Sequence, residues 1–414
     1  MYDALIIGGG PGGSATATYL ARAGRKVLLL EKEKFPRFHI GESLLPYNRA
    51  LFEEMGLLPA LQAAGFPRKF GAQFHVGNGT TATKFVFGLG RFTREPEAIQ
   101  VERAKFDHIL LQHAAKTGAE IREGWAVTRF AADNGHVTLD ARSPEGEAKQ
   151  FQARFLIDAS GRGNFTGNQE GIRVVHPKLK KLAVFGHFTG VKLDEGDRGG
   201  DTVIVRLANK WFWLIPISAE KTSVGCVMDA DEFAAAKSSP AEVFQHWAKS
   251  SPVVSERMEH ATLCGAMQTT SDFSYKNKRF AGHRLLRVGD AAGFMDPIFS
   301  AGVYLAMFSG KLAAQAVDES LKKNDDGARS FAAYEKRIRS AMRIYQEMVD
   351  HFYTTPFMEL FLQPREKFSL PAAVNAVLAG ELHGGWRLRW RLRLFFLLVR
   401  AQARWPLVTR ITFD

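Results

Sequence analysis

The stretch that most limits what this chain can fold into is ALIIGGGPGGSATATYLARAGRKVLLLEK, Ala4 to Lys32. Ala4 to Ile7 is continuously apolar, as expected of a strand buried on both faces of a parallel sheet. Gly8, Gly10 and Gly13 follow in a G-x-G-x-x-G spacing. The first permits a tight turn, the second lets backbone approach a pyrophosphate, and the third lets a helix pack closely on the strand. Small residues from Ser14 to Ala23 belong to that helix. A second apolar strand then ends in Glu31, placed to accept hydrogen bonds from a ribose. Gly8, Gly10, Pro11, Gly13, Ser14, Glu31 and Lys32 are therefore candidate dinucleotide contacts.

Two later segments point to a longer ligand. LLRVGDAAGFMDPIFSAGVYLAMFSGKLAAQAV opens as a strand, Leu285 to Val288, and passes through Gly289 and Asp290 into a turn and a long helix begun by Gly302. An acid directly after a buried strand is placed to hold a sugar-like chain such as a ribityl group. A helix N-terminus can face an electron-rich ring or an anion. FLIDASGRGN adds a third strand, ending at Asp158 and Gly161, where the dinucleotide would cross. Three separated segments converging on one extended ligand fit FAD better than NAD.

In this order the segments resemble the flavoprotein group of aromatic-ring hydroxylases, geranylgeranyl reductases and flavin-dependent halogenases, over most of the chain to about Gln315. FHIGESLLP resembles the G-E-S-x-x-P element of the halogenase and reductase branches. That implies that Gly41, Glu42, Ser43 and Pro46 shape the flavin edge. VERAKFDHILLQHA resembles a V-x-R-x-x-F-D helix whose arginine, here Arg103, contacts the cofactor. KWFWLIPIS carries Trp211, Trp213, Ile215 and Pro216 in the W-x-W-x-I-P spacing of halogenases, where reductases carry Y-x-W-x-F-P. In that family the motif lines the boundary between flavin and substrate. Lys210 stands where a glycine usually precedes it.

RKFGAQF resembles the halogenase element K-x-G-x-x-F, which puts Lys69 at the family's catalytic lysine. Among aromatic walls its ammonium form is disfavoured by desolvation, so it could hold hypohalous acid or form a haloamine. A halide ion is implied on the backbone of Ser300, Ala301 and Gly302, with Pro297 and Val303 flanking it at the cofactor. Phe299 stands where tryptophan halogenases place a glutamate, which implies phenols or pyrroles rather than free tryptophan.

The 414 residues carry 55 Lys and Arg against 43 Asp and Glu, a net charge of +12. Much of the excess lies in GGWRLRWRLRLFFLLVRAQARWPLVTR, Gly384 to Arg410. Three readings stand: a helix on an anionic membrane, a contact for an acidic carrier protein, or a packed helix whose arginines snorkel to water. No motif that reads nucleic acid is present, and no apolar run reaches the roughly 20 residues that span a bilayer. Cys226 and Cys264 are too few and too distant for a disulfide framework or zinc site. With a strand starting almost at Met1, no leader and a cytoplasmic location are expected. His39, His187 and His283 are scattered, and no metal site is expected.

The expected fold is α/β, or α+β overall. A Rossmann-like FAD-binding domain would comprise 1–65, 97–168 and 279–341. An antiparallel-sheet substrate domain would comprise 66–96 and 169–278, and a helical region would follow over 342–414. The expected enzyme is a halogenase using reduced FAD from a partner flavin reductase, O2 and chloride or bromide. Its substrate would be a small electron-rich aromatic, free or tethered to an acyl or peptidyl carrier protein. The alternatives are a geranylgeranyl-reductase-like oxidoreductase or hydroxylase, and a non-enzymatic FAD module.

Overall fold

The computed structural model describes residues 1–133, 135–382 and 384–413. Strand Tyr2–Ile7 is hydrogen-bonded on both sides, to Val27–Glu31 and to Ala148–Asp158, and all three run parallel. Leu285–Arg287 joins beyond the third and Glu120–Glu123 beyond the second, again parallel. Ala4, Leu5 and Ile6 have no exposed surface, because helices cover one face of the sheet and the strands Ala126–Ala132 and Val137–Arg142 pack on the other. Ile7 sits level with Asp158 and with Leu30, and Asp158 with Arg287. The loops leaving the strands' carboxyl ends therefore converge, which is where ligands bind in doubly wound sheets.

The second sheet has eight strands, in the order 293–294, 262–277, 173–189, 222–229, 211–216, 202–206, 71–76 and 82–86. Its pairs are antiparallel except Thr202–Arg206 with Gly71–Val76. That exception to the expected antiparallel sheet has a simple cause. Between Val76 and Thr202 the chain builds half of the first sheet's strands, and so long a crossover permits a parallel pairing. Trp211–Pro216 lies well inside the sheet with all six residues buried. Close behind it, a Cβ on Gly225 would come within 2.2 Å of the Trp213 ring and 2.7 Å of Phe185 Cβ.

Helix Pro11–Arg22 packs on Gly302–Lys323, and Ala328–Phe352 packs on the latter in turn. The boundary expected at 341 falls inside this second helix, since nothing between Ala328 and Phe352 breaks it. The segment AEVFQHWAKSSPVVSERM forms two helices, Pro240–Ser250 and Pro252–Met258. Pro252 has no N–H to continue the first helix, and Ser251 caps the second by accepting from Val254 N. Pro371 likewise opens the helix Leu370–Ala379. Among the described residues no helix is long and apolar enough to cross a membrane.

The tight Gly225–Trp213 contact has a measurable consequence. Gly225→Ala is expected to cost about 1–3 kcal/mol by overpacking, read by denaturant unfolding, and to shift the tryptophan emission. Unchanged stability and emission would show that the wall is looser than its geometry.

Candidate active site

The first turn is built by exclusion of side chains. A Cβ on Gly13 would lie 1.9 Å from Gly8 O, and one on Gly8, at φ +99°, would lie 2.4 Å from Ala159 O. The Cβ position of Gly10 meets nothing nearer than Arg37 at 3.7 Å, so its backbone is open to a ligand. Gly9 N and Glu33 N donate to the two carboxylate oxygens of Glu31, at 2.6 and 2.9 Å, which fixes the acid beside the turn.

From here a cavity of about 620 Å3 runs to the second sheet. Gly8, Gly10, Pro11, Glu31 and Lys32 line its first end. Gly41, Glu42, Ser43, Arg103 and Gly161 line its middle, with Gly289 and Asp290 opposite. Pro297 and the run Ser300 to Val303 border it, and Trp211, Trp213 and Ile215 close the far wall. Segments hundreds of residues apart thus share one space. Gly13, Ser14, Asp158, Pro216 and Lys69 do not line it. Gly13 and Ser14 serve the turn, the latter by donating to Gly9 O at 2.9 Å. Asp158 is spent on its own loop, accepting from Ser160 N, Thr166 N and Thr166 Oγ1.

Arg103 explains why the Gly-Glu-Ser turn sits where it does. Its guanidinium grips Asp107 with two 2.8 Å bonds and turns Nη1 to Ile40 O at 2.6 Å and Gly41 O at 3.2 Å. Burial would raise the Asp107 pKa, but Arg103 and Arg37 outweigh it and hold the carboxyl below its ordinary value. Glu42 lies 2.6 Å from His187 Nε2 through one oxygen, while its other buried oxygen has no partner among the described residues. Asp290 is pushed up to about 6 by burial, against the pull of Arg162 and Arg103.

Gly302 opens a 22-residue helix whose start has no side-chain cap. Ser300 stands at φ +54° just before it. The first N–H groups of a helix have no acceptor inside it, so this end offers amides to an anion in the cavity.

Lys69 lies just outside the cavity, fully buried, with Phe87 5.3 Å away. Its Nζ donates to Ser43 Oγ at 2.9 Å and Leu44 O at 3.1 Å. Ser43, which does line the cavity, therefore stands between the amine and the open space. Burial lowers the lysine pKa to about 7, with Asp201 pulling the other way.

A further group escaped the sequence reading. Tyr353 donates to Asp296 Oδ2 at 2.6 Å and accepts from Trp211 Nε1 at 2.9 Å. Burial raises the pKa of Asp296, opposed by its bonds from Tyr353 and Ile298 N. Lys181 Nζ sits 4.4 Å from the Tyr353 ring and also lines the cavity. The Asp-Pro pair in FMDP was the one local signal for Asp296; Tyr353 had none.

The chain matches a family model described as FAD binding domain over residues 1–347. It is 31% identical over 412 residues to the 1H-pyrrole-2-carbonyl-[peptidyl-carrier protein] chlorinase of Pseudomonas fluorescens, covering 94% of this chain and 91% of that one. The chain belongs to the flavin-dependent halogenases. The solved flavin-dependent brominase Bmp2 superposes with a TM-score of 0.86 at 30% identity, over 97% of this chain and 100% of that one. A flavoprotein/dehydrogenase of Cytophaga hutchinsonii has a TM-score of 0.88 at 27% identity, over 96% and 98%. The cavity fits the FAD of this family. Its glycine turn excludes side chains, its wall carries the unpaired Glu42 oxygen, and Asp290 faces inward.

Removing the Tyr353 hydroxyl leaves Trp211 Nε1 and Asp296 with one partner fewer. Tyr353→Phe should therefore cost about 1–3 kcal/mol in denaturant unfolding. A variant as stable as the parent would show that water replaces the hydroxyl without loss.

Proposed function

We propose that this halogenase acts on a pyrrole or phenol ring presented as an acyl group on a carrier protein, with a separate reductase supplying reduced FAD. The observation that carries the reading is the shared cavity. The dinucleotide cradle, the uncapped helix start and the tryptophan wall all border it, and Lys69 is withheld from water beside it. The relative acting on a pyrrole-2-carbonyl group held by a peptidyl carrier supports the substrate class.

Gly8, Gly10, Glu31, Arg103 and Asp290 would hold FAD, which when bound supplies activation of O2 for oxidation of the halide. The backbone amides at Ala301 to Val303 would hold chloride or bromide at the positive end of the helix. Trp211 and Trp213, 2% and 5% exposed, would keep the aromatic substrate apart from the cofactor and water out of the passage. Their bulk favours reaction of an oxidised halogen species with the ring over direct oxygen transfer.

Lys69 would deliver the halogen. In its neutral form both N–H bonds are used, on Ser43 Oγ and Leu44 O, and the lone pair remains. That lone pair can accept a hydrogen bond from hypohalous acid, or attack its halogen to give a haloamine, the O–halogen bond breaking and the hydroxide leaving as water with one N–H proton. With a pKa near 7 the lone pair is lost to a proton below neutrality and available above it. The same shift bears on stability. Between about 7 and the ordinary lysine value the unfolded chain holds a proton that the folded one lacks, so stability from this group rises with pH across that window.

The test combines purified protein, chemically reduced FAD, then aerated buffer with bromide and a pyrrole-2-carbonyl carrier protein, with a free phenol in parallel. Mass spectrometry should show the bromine isotope doublet on the ring, and Lys69→Ala should lower it at least about 100-fold while flavin reoxidation continues. Equal bromination in both proteins would remove Lys69 from the chemistry. Flavin reoxidation with neither ring brominated would overturn the reading in favour of another oxidoreductase activity.

The pH dependence is a separate check. Bromination should rise through about pH 7 and then level off, and Lys69→Arg, permanently charged, should stay low throughout. A parent rate that falls across that range would refute the neutral amine.

A further inference from the structure

The C-terminal segment that dominates the chain's positive charge forms the helix Gly385–Arg404. Its apolar face is used up in packing: Leu388, Leu392, Phe395, Phe396 and Val399 are buried. The opposite face is a single stripe, Trp386, Arg389, Arg393, Leu397, Arg400 and Arg404, at the three- and four-residue spacing of one helical side, and all six are exposed. None of the four arginines has an ion-pair or hydrogen-bond partner among the described residues. Trp386 is 72% exposed, Leu397 57%, and Trp405, just past the helix end, 63%. From Gly384 to Arg410 there are seven arginines and not one lysine, aspartate or glutamate.

We infer that this stripe is the docking surface for an acidic protein, and that the protein is the carrier that brings the aromatic acyl group. The inference rests on the carrier-bound substrate proposed above and adds where the carrier sits. Unpaired arginines with exposed tryptophans have the composition of protein–protein contact centres, which are enriched in Arg and Trp and poor in Lys. A bilayer surface is a poorer match. The helix has spent its apolar face on the protein body, and interfacial helices need that face to sink into lipid. Arginine also suits carboxylates in particular, since its planar fork meets both oxygens.

The position suits delivery. Phe396 lies 4.9 Å ring to ring from His351, two residues beyond Val349, which lines the cavity. Two packed helices, this one and Ala328–Phe352, therefore form the layer between the stripe and the substrate end of the site, about 20 Å at roughly 10 Å each. A carrier docked there needs only its flexible arm to reach round the edge of that layer.

The test uses the full chain with the pyrrole-2-carbonyl carrier protein, the same carrier unloaded, a free phenol, and phosphatidylglycerol vesicles. The triple variant Arg389→Glu/Arg393→Glu/Arg400→Glu should raise KM for the loaded carrier about tenfold or more and leave its kcat in place. Bromination of the free phenol and thermal stability should not change. Binding of the unloaded carrier to the parent should weaken as salt rises from about 0.05 M to about 0.3 M, and the triple lysine variant should recover part of the affinity. An unchanged KM in the glutamate variant would overturn the docking role. Equal losses on carrier and free phenol would make the stripe structural and overturn it as well. Vesicle binding that the triple variant abolishes, without carrier binding in the parent, would reassign the stripe to membranes. A parent that brominates the phenol but neither binds nor modifies the carrier would overturn both this inference and the carrier-bound substrate, leaving the halogenase reading standing.

Discussion

The hydrogen bonds that hold Tyr2–Ile7 between Val27–Glu31 and Ala148–Asp158 set Ile7 level with both neighbours, and Asp158 level with Arg287. That register decides which loops meet. Four strands end on one line, so the turns after residues 7, 31, 158 and 287 all open on the same side. With one strand slipped by a residue, alternate side chains would change face and the cavity would lose a wall. The glycines at 8 and 13 follow from the same constraint, since the turn must fold back against Ala159 within distances no Cβ tolerates.

Within that frame the polar groups divide into two sorts. Asp158 and Asp107 are satisfied inside the protein and serve as scaffold. Glu42 keeps a spare oxygen, burial pushes Asp290 up to about 6, and burial lowers Lys69 to about 7. Groups of the second kind are costly to keep buried unless they act on something. Glu42 and Asp290 line the cavity and Lys69 lies just behind its wall.

The motifs that depend on backbone were legible in the sequence. Glycine spacing, strand endings and the Trp-x-Trp alternation each reflect a local rule, and the loops they predict share one cavity. What depends on packing across distance was not. Lys69 could be assigned to an aromatic pocket, but the serine that screens it from the cavity, Ser43, is a partner set by tertiary contact. Asp158 looked like a ligand-facing acid because it ends a strand; its oxygens had nearer donors in the loop that follows. Tyr353 sits beyond the recognisable motifs, and only the folded chain brings it to Trp211. The parallel pairing of Thr202–Arg206 with Gly71–Val76 was hidden for a related reason, since no local pattern reports the direction of a partner more than a hundred residues away.

Helix Ala328–Phe352 has a consequence for how such an enzyme could change. Near its start Tyr334 bonds Arg287 O at the end of the first sheet. Its middle supplies Ile338, Met342, Tyr345 and Val349 to the cavity, and just past its end Tyr353 holds Trp211. One unbroken rod therefore spans from the nucleotide-binding sheet to the aromatic wall. Reshaping the substrate space by tilting this rod would also disturb its anchors at both ends. Exchanging single side chains along its inner face would leave the anchors alone, so diversification among such enzymes is mechanically channelled into those positions.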